Sequence, residues 1–203
     1  YLHGTDGMDA SAVDMPFNYK EKIDISKLKI AYVENYFNSK DTLGNEKSVL
    51  DVLKNAGANL QAIQIPDSAL YPFNIIGLVI GAESAAAFDA FTRTGLDDQM
   101  KRQGKGEWPN QFRTSRFIPA VEYINANRFR YVLMQKLNDI INQDDVISCP
   151  TWAGDQAAMT NLTGHTALSR GTGFNKQNLP TRSTLSGNLY DEGRLLEVAK
   201  VYQ

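Results

Sequence analysis

Hydrophobic positions in the first third of the chain change from strand-like to helical spacing and back. Residues 28–36 have a β-branched, apolar centre and predict a strand. Residues 49–56 have helical spacing, and Gly57 follows where glycine commonly ends a helix. Residues 60–65 alternate again before Pro66. This order predicts a βαβ unit, whose two strands are parallel and joined by a right-handed crossover.

Two helical patterns dominate the middle of the chain. Residues 73–93 are long enough and rich enough in alanine to favour a buried helix through much of the stretch. Residues 94–115 are polar and contain several glycines, which indicates a loop with a short helix. Residues 116–142 predict a long helix with one buried stripe, since Pro119 is tolerated in a first turn. The stripe comprises Phe117, Val121, Ile124, Phe129, Val132, Leu133, Leu137, Ile140 and Ile141.

The carboxy-terminal part predicts two short strands and a last helix. Residues 145–150 indicate a short buried strand closed by proline. Residues 151–175, rich in Gly, Asn and Thr, predict a loop with one helical turn near residues 157–162. Residues 180–186 alternate as a strand does, and Asp191 is expected to cap the final helix. The apolar face of that helix comprises Leu195, Leu196, Ala199 and Tyr202.

These elements predict an α/β protein in which residues 1–203 form a single unit. Residues 1–27 are polar and rich in turn-forming residues, so we expect an extended lead-in that runs over a surface. The chain shows no internal repeat, low-complexity tract or linker.

Charge and composition exclude several kinds of partner. The chain has 21 basic and 23 acidic residues and a formal net charge of −2, so we expect no nucleic-acid contact and no polybasic membrane contact. No apolar run approaches the roughly 20 residues that a membrane span needs. The sequence therefore indicates an ordinary globular protein.

The beginning of the chain and its cysteine content leave the compartment open. The chain starts at Tyr1 and its first methionine is Met8, so we expect either a processed product or a piece of something longer. The single cysteine, Cys149, excludes an internal disulfide framework but does not decide the redox environment. Localisation and oligomeric state are not predicted.

No catalytic motif stands out from the residues themselves. Ser26 and Lys29 have the serine-x-x-lysine spacing of penicillin-binding enzymes, but we expect Lys29 in a strand, where the two side chains diverge. Cys149 and His165 could form a nucleophile pair, although the apolar strand around the cysteine favours a buried, inert thiol. No histidine pair has metal-ligand spacing. We therefore predict no metal and no cofactor.

Four arginines occur close together in sequence, and they allow two interpretations. Arg113, Arg116, Arg128 and Arg130 divide between helix faces, which favours solvation and ion pairing. The alternative is that Arg116 or Arg128 faces a pocket, because a guanidinium group suits carboxylate recognition.

Several stretches, in order along nearly the whole chain, resemble the part of amidase-signature enzymes that follows their signature segment. These stretches resemble bacterial amidases more closely than they resemble the amidase subunit of tRNA-dependent amidotransferases. The stretches are a Gly-x-Asp-x-x-Asp turn at residues 4–9, the strand–helix–strand of residues 28–66, Ala-Glu-Ser at residues 82–84, the helix at 118–128, the strand at 145–151, the Asn-x-x-Gly loop at 161–167 and the closing helix at 187–196.

This resemblance implies a mixed β-sheet flanked by helices and the hydrolysis of a carboxylic amide. Members of the family use a serine nucleophile, a second serine in a cis peptide and a lysine, on a glycine- and serine-rich segment. No stretch here resembles that segment, so we expect these residues upstream of Tyr1, assign no catalytic residue and expect this chain alone to be inactive. Thr166 stands where the family has proline, and Thr181 with Arg182 where a glycine is frequent.

The resemblance also implies candidate substrate contacts and partners. Glu83 lies near the pocket-lining region together with Asp89, and Asp155 and Asn161 lie in the loop that approaches the substrate's amine. Arg116 completes the predicted substrate-binding set. The expected partners are a small-molecule amide and the missing amino-terminal half of the same protein. The alternatives are a non-catalytic binding or structural module, or a fragment of an amidotransferase-type A subunit.

Overall fold

The structure is a computed structural model that describes residues 3–40, 42–65 and 72–203. These residues form two compact units. The first unit takes its described residues from Tyr1–Asp67 and Lys136–Gln203, and the second unit from Ser68–Gln135. The predicted end of a strand at Pro66 lies outside the described residues.

The secondary structure alternates between helices and strands, as expected for an α/β chain. The strands are β1 (Lys29–Val33), β2 (Asn59–Ile63), β3 (Val146–Pro150), β4 (Thr166–Phe174) and β5 (Pro180–Gly187). The α-helices are α1 (Glu34–Phe37), α2 (Gly44–Asn55), α3 (Ile75–Ala87), α4 (Asp89–Arg93), α5 (Trp108–Thr114), α6 (Ala120–Ile141), α7 (Gln156–Thr163) and α8 (Glu192–Tyr202). Short 3₁₀ helices lie at Ile25–Lys27, Leu96–Gln99 and Ser115–Phe117.

The first unit is built on a five-stranded mixed sheet with the order β2-β1-β3-β5-β4. Strand β1 pairs in parallel with β2 and with β3, while β5 is antiparallel to both β3 and β4. Ile30 of β1 lies opposite Leu60 on one side and Val146 on the other. The predicted parallel βαβ pair and the expected mixed sheet flanked by helices are both confirmed.

One face of this sheet carries the main hydrophobic core of the first unit. Because strand side chains alternate between faces, Ile30, Val146 and Leu185 lie on the same side of the sheet. Helices α2 and α8 cover this side, and the core side chains of the two helices include Val49, Leu53, Leu195, Val198 and Ala199. Strand β3 is buried at all five positions, as predicted for residues 145–150.

The loop predicted over residues 151–175 is wrong for most of its length. The helical turn expected near residues 157–162 is confirmed as part of α7, which extends over Gln156–Thr163. Strand β4 follows and is the longest strand of the sheet. One side of β4 presents only small residues, such as Ala167, Ser169 and Gly171, so its alternation is not visible as hydrophobic spacing. Backbone pairing with β5 holds the strand in place, and this pairing depends on the fold rather than on local side chains.

The long helix predicted over residues 116–142 is confirmed as α6, but its single buried stripe is wrong. Phe117 is 85% exposed, and Val121 and Ile124 are also exposed, whereas Leu137 and Ile141 are buried. The apolar spacing continues along the whole helix. Within the predicted stripe, Leu133, Leu137 and Ile141 are buried, and Ala126, which was not predicted, is buried as well.

The stretch of residues 73–93 is helical as predicted, but it is neither one helix nor buried throughout. Helix α3 ends at Ala87, and α4 follows directly after Phe88. Val79 and Ala85 are buried, whereas Ile80 is 43% exposed. Among the helices in the described residues, none has the length and apolar character needed to cross a membrane.

Two details predicted for the last helix need correction. Asp191 occupies the N-cap position of α8, but its side chain makes no capping hydrogen bond, and burial raises its pKa above the ordinary value. Leu196 is exposed, and Val198, which was not predicted, is fully buried in its place. The helix therefore turns a face slightly different from the expected one toward the sheet.

The lead-in of residues 3–24 forms no helix or strand and passes directly over the start of α8. The backbone N–H of Lys20 donates to Glu197 Oε1 at 2.6 Å. The other carboxylate oxygen of Glu197 is 2.9 Å from Arg194 Nη1, so this buried acid is satisfied on both sides. A Cβ at Gly193 would overlap the carbonyl group of Asn18. The approach of the lead-in to α8 thus requires glycine at this position.

Replacing Gly193 by alanine should lower the free energy of unfolding by about 2–3 kcal/mol, since the added methyl group overlaps backbone that cannot rotate away. Urea unfolding followed by circular dichroism measures this change. Gly44→Ala is the matched control, because Gly44 also lies in a first helical turn and has open space around its Cβ position. Equal stability of the two variants would show that the lead-in does not pack on α8.

Candidate functional site

The second unit contains a cavity of about 430 Å³ beside α3. It lies between the carboxy-terminal half of α3, the 3₁₀ helix at Ser115–Phe117 and the first turn of α6. Gly81 allows the close approach of these elements, because a Cβ there would lie 2.8 Å from Ser115 Oγ. The cavity is lined by Ala82, Glu83, Ala85, Ala86, Asp89, Ser115, Arg116, Ile118, Ala120 and Tyr123.

An ion pair forms one polar part of the cavity wall. Asp89 pairs with Arg116, which is distant in sequence, and with Arg93 one helical turn away at 2.8 Å. Hydrogen bonds from Arg116 and then from Arg93 hold the pKa of the Asp89 carboxyl below its usual range. Arg116 thus forms an ion pair, as the favoured interpretation expects, and also lies in the cavity wall, so that a role in carboxylate recognition stays a prediction.

Glu83 forms a second polar part of the same cavity. The hydroxyl group of Tyr123 donates to Glu83 Oε1 at 2.9 Å, which links α3 to α6. The structure thus brings the predicted residues Glu83 and Arg116 into one cavity. Tyr123 was not predicted as a site residue, because its partner lies 40 positions away and no local pattern connects them.

The first unit holds the other two predicted contacts. Asp155 lies at the N-cap of α7, where its backbone N–H donates to the Tyr36 hydroxyl oxygen at 3.3 Å. Gly154 has φ +58°, and a Cβ there would overlap the Tyr36 ring. The turn before Asp155 is therefore fixed by a buried aromatic ring that sequence reasoning missed.

Asn161 lies on helix α7 and not in a loop as predicted. Its side-chain amide donates to the carbonyl of Ala157 at 2.7 Å, one turn earlier in the same helix. The residue is exposed, and its carbonyl oxygen accepts no hydrogen bond within the described residues. The carbonyl oxygen and the second N–H of this amide are thus available to a ligand.

The structure places Lys29 in a strand and buries the Cys149 thiol, as predicted. Ser26 lies in a 3₁₀ helix and donates to Asp24 at 2.5 Å, while Lys29 begins β1. Cys149 is buried, and desolvation raises the pKa of its thiol to about 12, so it carries no thiolate at neutral pH. In the described ranges, no group of three or more histidine, cysteine or acidic side chains is arranged to hold a metal ion.

His165 is the buried partner that the discounted nucleophile pair would have used. Its Nδ1 lies 2.7 Å from Thr163 Oγ1, and that hydroxyl donates to the carbonyl of Met159. The hydroxyl must therefore accept from Nδ1–H, which leaves the lone pair on Nε2. Nε2 is buried and has no partner among the described residues. Burial lowers the pKa of His165 below its usual value.

The mixed sheet flanked by helices is the fold of amidase-signature enzymes, and the resemblance to that family is confirmed. The relatives include A subunits of amidotransferases, so the closer likeness to bacterial amidases stays a prediction. The chain is similar to the A subunit of the glutamyl-tRNA(Gln) amidotransferase of Prochlorococcus marinus (strain NATL2A), with 24% identity over 100% of this chain and 51% of the relative. No family model matches the chain.

Two solved structures show the same fold. The A subunit of the glutamyl-tRNA(Gln) amidotransferase of Thermotoga maritima superposes with a TM-score of 0.64 and 21% identity, over 98% of this chain and 47% of that structure. The peptide amidase of Stenotrophomonas maltophilia gives a TM-score of 0.68 and 15% identity, over 87% and 42%. The chain thus spans about half the length of the proteins it resembles.

The stability of the first unit should decrease as the pH falls below about 6.5, the ordinary histidine value. Because the folded state lowers the pKa of His165, the unfolded chain binds the proton more readily and gains population in acid. His165→Leu removes this contribution, so the variant's free energy of unfolding should rise relative to the parent chain between pH 7.5 and pH 5.

The check is urea unfolding at several pH values. His3→Gln serves as the matched control, because His3 is the second of the two histidines and is exposed. A difference between His165→Leu and the parent chain that stays constant with pH would contradict the buried, neutral imidazole.

Proposed function

We propose that this chain is the carboxy-terminal part of an amidase domain, whose catalytic serines and lysine lie upstream of Tyr1. The observation that carries the proposal is the coverage: the whole chain aligns with amidase-signature relatives, but with only about half of their length. The sequence contains no glycine- and serine-rich segment of the kind on which the family's catalysis depends. Both units are then parts of one larger domain.

In this proposal the complete protein hydrolyses a carboxylic amide. The serine hydroxyl attacks the amide carbonyl, and its proton passes through the second serine and the lysine to the leaving amine. The acyl-enzyme is then hydrolysed by water, which releases the acid and restores the serine. Backbone N–H groups of the upstream segment stabilise the oxyanion. The present chain supplies scaffold and part of the substrate-binding wall.

Each of four residues, two in each unit, is proposed as a substrate contact. The hydrogen bond from the Asp155 backbone N–H to the Tyr36 hydroxyl fixes the main chain at the start of α7, from which the Asp155 carboxylate projects. Asn161 offers a carbonyl acceptor from the same helix. Glu83 and Arg116 contribute from the cavity of the second unit.

A second candidate is an amidotransferase-type A subunit. This candidate is supported by the names of two relatives in sequence, which are both A subunits of glutamyl-tRNA(Gln) amidotransferase. In that case the complete protein works with further subunits, and the amide it hydrolyses supplies ammonia to another reaction. A non-catalytic module is the third candidate, and it requires that the upstream sequence lack the serines and the lysine.

The test compares the complete protein with residues 1–203 alone, using release of ammonia from simple carboxamides. We expect turnover only from the complete protein. Within it, Asp155→Asn should lower kcat/KM about tenfold, which corresponds to about 1.4 kcal/mol of lost transition-state binding. Asp139→Asn is the control, because Asp139 is an exposed acid on the outer surface of α6.

Three results would contradict parts of this proposal. Hydrolysis by residues 1–203 alone would place catalytic residues within the chain. Unchanged kinetics of Asp155→Asn would remove Asp155 from the substrate wall. Activity that appears only with added partner proteins would favour the amidotransferase candidate.

A further inference from the structure

Three charged side chains line the cavity of the second unit, and they are not equally compensated. Asp89 and Arg116 neutralise one another, and Arg93 adds a further positive charge to Asp89 from outside the lining. Glu83 receives only the neutral hydroxyl of Tyr123. In the described part of the chain, no lysine, arginine or histidine lies within ion-pair distance of Glu83. Glu83 is therefore the one charged side chain of the lining that has no ion-pair partner among the described residues.

We infer that this cavity binds a protonated amine, with the ammonium group against the carboxylate of Glu83. A charge-assisted hydrogen bond from an ammonium group is about twice as strong as one between neutral groups. Tyr123 occupies Oε1 and so orients the carboxylate, while Oε2 accepts no hydrogen bond from the described residues. The binding of the amine rests on this geometry alone. That the amine belongs to the amide substrate rests on the proposed function.

The same lining disfavours an anionic ligand. Arg116 is the single cation of the lining, and Asp89 already engages it. An incoming carboxylate would compete with Asp89 for the guanidinium group and would be repelled by Glu83. The remaining N–H groups of Arg116 suit a neutral acceptor such as an amide carbonyl oxygen.

The apolar part of the lining suggests the size of the ligand. Ala82, Ala85, Ala86 and Ala120 project only methyl groups, and Ile118 adds one larger aliphatic side chain. A volume of about 430 Å³ is at the lower end of the range for small-molecule sites. A short alkyl chain with a terminal ammonium group fits this combination of small apolar wall and single carboxylate.

The test is a titration of the 203-residue chain with n-butylammonium, with butyrate and 1-butanol as the anionic and neutral comparisons. The readout is the shift of the alanine methyl signals in ¹H–¹³C spectra, assigned by single Ala→Gly changes. We expect roughly millimolar binding of n-butylammonium, as is usual for so small a ligand, and at least about tenfold weaker binding of butyrate and butanol.

Glu83→Gln keeps the size and the hydrogen bond from Tyr123, and it should weaken n-butylammonium binding about tenfold without unfolding the chain. Glu122→Gln is the matched control, since Glu122 is, like Glu83, an exposed acid and lies next to Tyr123, but does not line the cavity. Tyr123→Phe should change the affinity only a few-fold, because the carboxylate stays in place.

Binding is measured without turnover, so this inference and the proposed function fail separately. Equal affinity of Glu83→Gln and the parent chain would overturn the amine site, and so would binding of butyrate as strong as that of n-butylammonium. Amine binding that depends on Glu83, in a complete protein that hydrolyses no amide, would support the site and overturn the proposed function.

Discussion

Strand β3 separates the parallel half of the sheet, β1 and β2, from the antiparallel half, β5 and β4, and each of its five side chains is buried. A strand in this position is hydrogen-bonded along both edges and has no solvent-facing side, so it tolerates no charged residue. Charged side chains therefore occur after the end of the strand and not within it. There Pro150 stops the strand, and the turn that follows leads through Gly154 to Asp155.

A buried aromatic ring limits the conformation of that turn. The left-handed Gly154 lies against the ring of Tyr36, which follows β1, the parallel neighbour of β3. Carboxyl ends of parallel strands meet at one edge of a sheet, so residues distant in sequence converge there. The start of α7 at Asp155 is consequently held by Tyr36, a residue from a distant part of the sequence.

The second unit forms its cavity by a different means. The inner positions of α3 carry methyl groups, so space is left where larger side chains would fill a core. The charges at its border are unequal: Asp89 is held by two arginines, while Glu83 has a phenol as its partner. The alanines of α3 thus leave the space of the cavity, while Glu83 of α3 and Asp89 of α4 supply its acidic groups.

Sequence reasoning succeeded where local spacing matches burial and failed where partners lie elsewhere in the chain. The βαβ unit, β3 and α6 follow from apolar periodicity alone. Strand β4 does not, because Ala167, Ser169 and Gly171 carry no hydrophobic signal and depend on pairing with β5. Exposed residues of α6, such as Val121 and Ile124, follow the same apolar spacing as the buried Leu137 and Ile141. Spacing alone therefore cannot tell which residues a neighbouring element covers.

For the candidate site, the amino-acid sequence determined which chemical groups are present and which are missing. It showed no nucleophilic motif and placed Cys149 in an apolar strand. It singled out Glu83 by family resemblance and Arg116 by the chemistry of its guanidinium group. Only the tertiary structure decided how those groups are paired: Asp89 with Arg116, Glu83 with Tyr123, and Asp155 with Tyr36. These pairs lie 27, 40 and 119 positions apart in the chain. Folding brings them together, and no short-range pattern records such contacts.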